Sequence, residues 1–421
     1  MLQLSESDQA MLNGDRGAAA QFAMSILVRM APVFGASSLL DITQAHIDST
    51  LYLGDATLEF AERLASLGAR VAVPTTLNVS GVDEGGWTDW AVPAEWAAKA
   101  GRQMRAYERM GAVPTWTCAP YQTDMRPAFG QQIAWGESNA IAFANSVIGA
   151  RTERYPDLLD ICCAITGRAP AAGLHLAENR AGQLLIRLVD VPAAMQQDDQ
   201  FFAVLGHLVG KLAEDRIPVI DGLTVRPAED LLKAFSAAVA SSGRVALFHL
   251  VGITPEAPTV ADACQQRAPE EVVTVTADDL RAARAELTTA EGDRLDMVIL
   301  GSPHFSLEEF RRLAPLVAGK QRHPEVKFVI TSSRLMRELA DGAGVLAPAL
   351  DFGAQITLDT CLLTSPMLPP AIKTLMTNSA KYAYYAPSLL STRVAFGSLA
   401  DCVRSAVEGR VVRDDSVWRP A

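Results

Sequence analysis

The sequence predicts an α/β fold with largely parallel sheets, and three observations carry that expectation. Short apolar runs of strand length recur at Arg70–Val73, Leu247–Val251, Met297–Leu300, Val326–Ile330 and Gln355–Leu358. Several lead through a polar or proline-containing loop into an amphipathic, helix-like segment. The clearest unit is Asp296-Met-Val-Ile-Leu-Gly-Ser-Pro-His304, where Ser306 as N-cap and Glu309 as the third helical residue then form a capping box. Strand, loop and helix in repeated alternation argue for crossover connections and a parallel sheet. Before these units, Asp8 to Met30 carries apolar residues at helical spacing, and the N-terminal part to about residue 45 reads as helix. Composition shifts are slight; lobe breaks are expected near residues 166–175 and 265–280, giving two or three α/β lobes.

Composition narrows the function classes. The chain has 421 residues, 49% of them hydrophobic and 20% charged, with 29 glycines and 23 prolines, an ordinary globular balance. The formal charge is −11 and no Lys/Arg-rich run exists, so the basic footprint of a nucleic-acid-binding protein is missing. No uncharged apolar stretch is long enough to cross a bilayer, and Met1-Leu2-Gln3-Leu4-Ser5-Glu6 lacks the marks of a signal peptide. With six cysteines and no export signal, a reducing cytoplasm is the expected location.

In parallel α/β sheets ligands gather beyond the carboxyl ends of strands. The segments that follow the apolar runs are Pro74–Ser80, Pro114–Tyr121, Gly252–Thr259, Gly301–His304, Thr331–Arg334, Asp359–Cys361 and Met376–Tyr382. The last presents amide, hydroxyl and ammonium donors together, a set suited to a carboxylate or another small anion. Taken singly, such segments also make ordinary strand-to-helix turns. The sequence has no GxGxxG, P-loop, HExxH, GxSxG or CxxC motif, so dinucleotide, P-loop, zincin and serine-hydrolase readings lose support. Gly342-Ala-Gly-Val-Leu-Ala347 follows a helical pattern, the wrong context for a dinucleotide fingerprint. Cys162 and Cys163 read as core, and Cys402 as a buried helical residue. Cys118 and Cys361 differ: each ends an apolar segment in polar surroundings, and two such thiolates meeting in space would suit iron. His304 stands out among six scattered histidines by its place after a strand.

These segments together resemble the large-subunit, catalytic region of aconitase X, a branch of the aconitase superfamily. The resemblance runs through Ala45-His-Ile-Asp-Ser49 with Leu53-Gly-Asp55, Pro74–Asn78, Thr117–Tyr121, Trp135–Ala140 and Ala144–Thr152. It continues through Gly252–Ala257, Gly301–His304, Asp359–Cys361 and Thr377–Tyr382, over essentially the whole chain. It implies an aconitase-like, multi-lobed α/β/α fold and a hydro-lyase using an iron–sulfur cluster without redox turnover. The family's activities are cis-3-hydroxy-L-proline dehydration and mevalonate 5-phosphate dehydration. Family enzymes pair this region with a small swivelling domain, fused or separate; with the sequence ending at Trp418-Arg-Pro-Ala421, a separate small subunit is the expected partner. Ser302 stands where archaeal relatives carry a cysteine. The cluster, of 2Fe-2S or 3Fe/4Fe-4S type, would then be smaller, take a non-cysteine ligand, or recruit another residue such as Cys402.

The same resemblance suggests roles. Cys118 and Cys361 would hold iron. Lys381, Ser379, Asn378 and Asn78 would hold a substrate carboxylate, favouring charge as the C2 proton leaves. Asp48 and Ser49 would contact the substrate, Asp48 facing a ring ammonium; Glu137, Ser138, Asn139 and Ser302 would orient substrate or cluster; His304 would donate to the leaving oxygen. Structural alternatives stand beside these: Ser138 and Asn139 as helix caps, Lys381 as a solvated lysine, Asp48 as a turn former. The expected reaction converts cis-3-hydroxy-L-proline to Δ1-pyrroline-2-carboxylate. A phosphorylated substrate would call for more cations, and Arg334 is the one obvious addition. A cluster-binding regulatory subunit without activity is a further reading.

Overall fold

The computed structural model describes residues 2–420. Three groups of strands succeed one another along the chain. The first comprises β1 (Leu39–Asp41), β2 (Ala45–Ile47), β3 (Thr75–Leu77), β4 (Ala134–Trp135) and β5 (Arg168–Pro170). There β2 lies between β3 and β4, all parallel, while β1 and β5 form a separate antiparallel pair. The second group, β6 (Leu184–Leu188), β7 (Pro218–Asp221), β8 (His249–Leu250) and β9 (Glu271–Val275), is a parallel sheet in the order β8-β7-β6-β9. The third is β10 (Met297–Leu300), β11 (Lys327–Ser332), β12 (Gln355–Leu358), β13 (Thr374–Thr377) and β14 (Arg393–Phe396), parallel in the order β12-β11-β10-β13-β14.

These orders matter for function. Strands leave β10 toward β11 and β12 on one side and toward β13 and β14 on the other, so a crevice opens beyond the carboxyl ends of β10 and β13. In the first sheet β2 has the same central place. The third sheet has one face on a core of its own, with Val298, Leu300, Phe328 and Ile330 among its buried residues, while Met297, Ile299, Val329 and Leu375 join the large core that runs through the first two lobes. Among the described residues, no helix is long and apolar enough to cross a membrane.

Local signals explain most elements. Ser306 accepts from the Glu309 amide while Glu309 accepts from Ser306 N, and the helix Leu307–Val317 starts there. The expected N-terminal helix forms as two, Glu6–Asn13 and Ala18–Met30, parted at Gly14–Gly17, and β1 already begins at Leu39. Arg70–Val73 is a correction: it is irregular, and the strand is Thr75–Leu77. Its amides are engaged elsewhere, Val71 N by Met110 O at 2.9 Å and Ala72 N by Ala164 O at 2.8 Å, so no ladder forms before Pro74. The segments 166–175 and 265–280, where lobe breaks are expected, contain β5 and β9, each paired into its sheet.

Candidate active site

The carboxyl ends of the first and third sheets face each other. From the first come Asp48 and Ser49 after β2, Asn78 after β3, and Glu137, Ser138 and Asn139 after β4. From the third come Ser302 and His304 after β10, Cys361 after β12, and Asn378, Ser379 and Lys381 after β13. The two rims are stitched together: Ser80 bridges to Thr360, Ser80 N donates to Asp359 O at 2.7 Å, and Thr360 Oγ1 donates to Ser80 O at 2.8 Å. Within each rim a glycine permits close packing. A Cβ on Gly136 would lie 2.7 Å from Asp48 Cβ, and Gly301, at φ 92°, would place one 2.1 Å from Thr331 O.

At the centre, Lys381 Nζ meets Glu137 Oε1 at 2.8 Å, joining the rims by an ion pair whose side chains are 14% and 12% exposed. Burial works against the charge on Glu137, but the Lys381 ammonium and the Asn139 donors override it and hold the carboxyl down to about 2. Asn139 Nδ2 also donates to Cys118 O at 3.1 Å, and its Oδ1 accepts from Tyr121 OH at 3.2 Å. Asn78 Nδ2 donates to Asp48 Oδ1 and, at 3.3 Å, to Glu137 Oε2. Asp48 is pushed well above the usual carboxylate range, first by burial and then by Glu137, Asp157 and Asp160. Beneath it, Asp160 accepts from Asp48 N at 2.6 Å, from Ser49 N at 3.1 Å and from Ser49 Oγ.

The thiols come one from each rim, Cys118 from the first lobe and Cys361 from the third. His304 N donates to Cys118 Sγ at 3.2 Å, and burial pushes the Cys118 thiol up to about 12. Cys361 is also raised by burial, and Lys381 and Glu137 act electrostatically on both sulfurs. Among the described residues, no group of three or more His, Cys, Asp and Glu side chains is arranged to hold a metal ion. Two sulfurs, those of Cys118 and Cys361, lie near Lys381 and Glu137.

Several expected roles change with the geometry. His304 Nε2 lies 3.0 Å from Thr360 O, an atom that only accepts, so the ring proton sits on Nε2. Burial holds the ring near a pKa of about 4, hence neutral, and the buried Nδ1, without a partner, is an acceptor; His304 cannot donate to a leaving oxygen from it. Ser49 is engaged by Asp160 and by Leu158 N at 3.0 Å, a pin under the site rather than a substrate contact. Ser379 Oγ donates to Ser302 O and caps the helix Ala380–Leu389, and the donors of Asn78 are turned to carboxylates, so neither offers a donor to an anion. The cap of the helix Ser138–Phe143 is Glu137, which accepts from Asn139 N, not Ser138 or Asn139. Cys402 is buried in the third core, on the helix Leu399–Glu408. His46 and Asp160 were not singled out by sequence. The signal was there for Asp160: a carboxylate inside an otherwise apolar run, Leu158–Ile165, must find buried partners.

Fold and site are those of an α/β enzyme of the hydro-lyase class. Models of the aconitase X first, second and third domains match residues 1–178, 182–285 and 295–408, and the chain belongs to the aconitase X family. It is 51% identical to a cis-3-hydroxy-L-proline dehydratase of Pseudomonas aeruginosa, over 98% of this chain and 71% of that one. It is 34% identical to a phosphomevalonate dehydratase large subunit of Methanothermobacter thermautotrophicus, over 95% of this chain and 98% of that one. The fold superposes with a TM-score of 0.86 on the crystal structure of Thermococcus kodakaraensis aconitase X in its holo-form, at 32% identity, covering 96% of this chain and 100% of that one.

Proposed function

We propose that this chain dehydrates cis-3-hydroxy-L-proline to Δ1-pyrroline-2-carboxylate in the cytoplasm, with an iron–sulfur cluster held by Cys118 and Cys361 and with a separate small swivelling-domain subunit. The observation that carries the proposal is the Lys381–Glu137 pair near two buried thiols where two sheets end face to face. The 51% identity to a named cis-3-hydroxy-L-proline dehydratase supports the substrate, and the large-subunit name of the phosphomevalonate dehydratase supports a small-subunit partner. Charge supports the same choice. The cations around the cleft already have carboxylate partners, Lys381 with Glu137, Arg334 with Asp359 and Lys233 with Glu309, leaving no cationic cluster for a phosphate. Mevalonate 5-phosphate therefore ranks second.

The chain's own part follows from the charges. Asp48, raised by burial and by its carboxylate neighbours, is drawn into its ionised form when a ring ammonium arrives beside it. Lys381 and Asn378 hold the substrate carboxylate, so that negative charge developing as the C2 proton leaves meets an ammonium already in place. Glu137 fixes that ammonium through the salt bridge. Cys118 and Cys361 would hold the iron–sulfur cluster, which would supply a Lewis acid for the C3 oxygen, otherwise a poor leaving group as hydroxide. Loss of the C2 proton and the C3 hydroxyl as water gives an enamine, which tautomerises to the cyclic imine.

The test is turnover by the chain reconstituted anaerobically with iron, sulfide and its small partner. Imine formation from cis-3-hydroxy-L-proline, outpacing any reaction of mevalonate 5-phosphate, is expected. No turnover beside a competent control enzyme, or preference for the phosphorylated substrate, overturns the assignment.

A further inference from the structure

A buried ion cluster sits where the three lobes meet. Lys233, on the second-lobe helix Glu229–Ser242, is 1% exposed. Its three ammonium protons have three acceptors: Asp230 Oδ1 at 3.0 Å, Glu309 Oε2 at 2.5 Å and the His304 carbonyl at 3.2 Å. Asp230 in turn accepts from Gln122 Nε2 of the first lobe at 3.1 Å and from Ser306 Oγ of the third at 2.7 Å. Burying such a group is a weak source of stability, since apolar residues of the same volume commonly do as well or better. What it supplies is direction.

The direction is visible in the loop after β10. Its carbonyls are held by side chains in turn: Gly301 O by Thr331 Oγ1 at 2.6 Å, Ser302 O by Ser379 Oγ, Phe305 O by Ser332 Oγ at 2.8 Å, and His304 O by Lys233. Three of these donors belong to the third lobe itself. Lys233 alone of the four is charged and comes from another lobe. The same loop carries the amide bonded to Cys118 Sγ and the ring bonded to Thr360 O, so its placement sets one wall of the cleft.

We propose that Lys233 is a positioning residue for the dehydration, its ammonium fixing the Gly301–Phe305 loop through the His304 carbonyl and thereby tying the second lobe to the geometry of the cleft. This rests on the function proposed above. Lys233 touches neither substrate nor sulfur, and acts through the loop.

The test compares the unaltered enzyme, reconstituted with its small partner, with K233M and with the charge-free D230N/K233M/E309Q, which leaves no unpaired buried carboxylate and so separates folding from positioning. Two quantities are read: kcat and KM for cis-3-hydroxy-L-proline, and amide hydrogen exchange over residues 301–306. In the triple variant kcat is expected to fall about 10²-fold, the scale of a roughly 1 Å misplacement, with KM little changed. Exchange over 301–306 is expected to quicken while the helix Phe201–Ala213 keeps its protection. A kcat within about twofold of the unaltered enzyme, unaltered exchange over 301–306, or exchange that quickens everywhere alike overturns the proposal. Should the unaltered enzyme not turn over this substrate, the function reading falls on its own, and the exchange measurement still decides whether Lys233 holds the loop.

Discussion

The two rims of the cleft are built on opposite principles. On the first-lobe rim, Asp48, Glu137 and Asp160 crowd together, and backbone amides, Asn78, Asn139 and Ser49 satisfy nearly every oxygen. On the third-lobe rim the chemistry is carried by loops and one helix start: a left-handed Gly301, a left-handed Asp359 at φ 62° held by Arg334, Asn378 after β13, Lys381 in the first turn of the helix Ala380–Leu389, and Cys361. One rim is an anionic wall whose hydrogen bonds are mostly made within the rim, buried Asn78 Oδ1 being an exception. The other brings the cation and a sulfur to it. The difference teaches where each kind of mutation will act: on the first rim chiefly through stability and protonation, on the third chiefly through turnover.

Breaking the single ion pair between the rims has the largest expected effect. K381M removes the ammonium meant for the substrate carboxylate and leaves Glu137 buried without its cation, so kcat/KM is expected to fall about 10²–10³-fold. Steady-state kinetics on cis-3-hydroxy-L-proline read this directly; a loss below tenfold would show that the pair is not central. Next comes D160A. It strands Asp48 N, Ser49 N and Ser49 Oγ together, and urea unfolding is expected to show a loss of about 3 kcal/mol. A change under about 1 kcal/mol would mean that the anionic wall is not held from beneath.

A smaller effect sharpens the contrast through pH. Burial lowers His46 from the ordinary 6.5 to about 3, so its neutral form is favoured on folding. That contribution is complete above the unfolded value and is lost as pH falls below about 6.5, by roughly 2 kcal/mol at pH 5. Burial raises Asp160 to about 6 from 3.8, the opposite case: its contribution is complete below the unfolded value and is lost as pH rises through 6. Thermal midpoints between pH 7 and pH 5 are therefore expected to fall less in H46Q, and to fall more in D160N, than in the unaltered chain. Parallel curves for all three would contradict these environments.

What could be read from the sequence was what depends on neighbours in the chain. Met297–Leu300 with its loop and the Ser306–Glu309 capping box declare themselves locally, and both form as expected. Cys118 and Cys361 could be picked out because each ends an apolar segment in polar company. What could not be read depends on partners far along the chain. Ser49 and Asp160 are 111 residues apart, Glu137 and Lys381 are 244, and nothing near Lys233 announces that its ammonium ends on His304 O. The segments Ala144–Thr152 and Gly252–Ala257, prominent in the family resemblance, serve a different end. A π-helical turn over Ala144–Ile148 frees Asn145 O, and Arg180 takes it at 2.8 Å while its Nε meets Glu256 Oε2 at 2.9 Å. That is an interlock between the first two lobes, not a contact with the cleft.

Visible absorption of the chain reconstituted anaerobically with iron and sulfide, compared among C118A, C361A and C264A, tests the pairing of the two sulfurs most directly. Absorption should vanish in the first two and persist in C264A, whose sulfur is buried in a small second-lobe cluster. A spectrum left intact by loss of Cys118 or of Cys361 would contradict a cluster held where the two sheets meet.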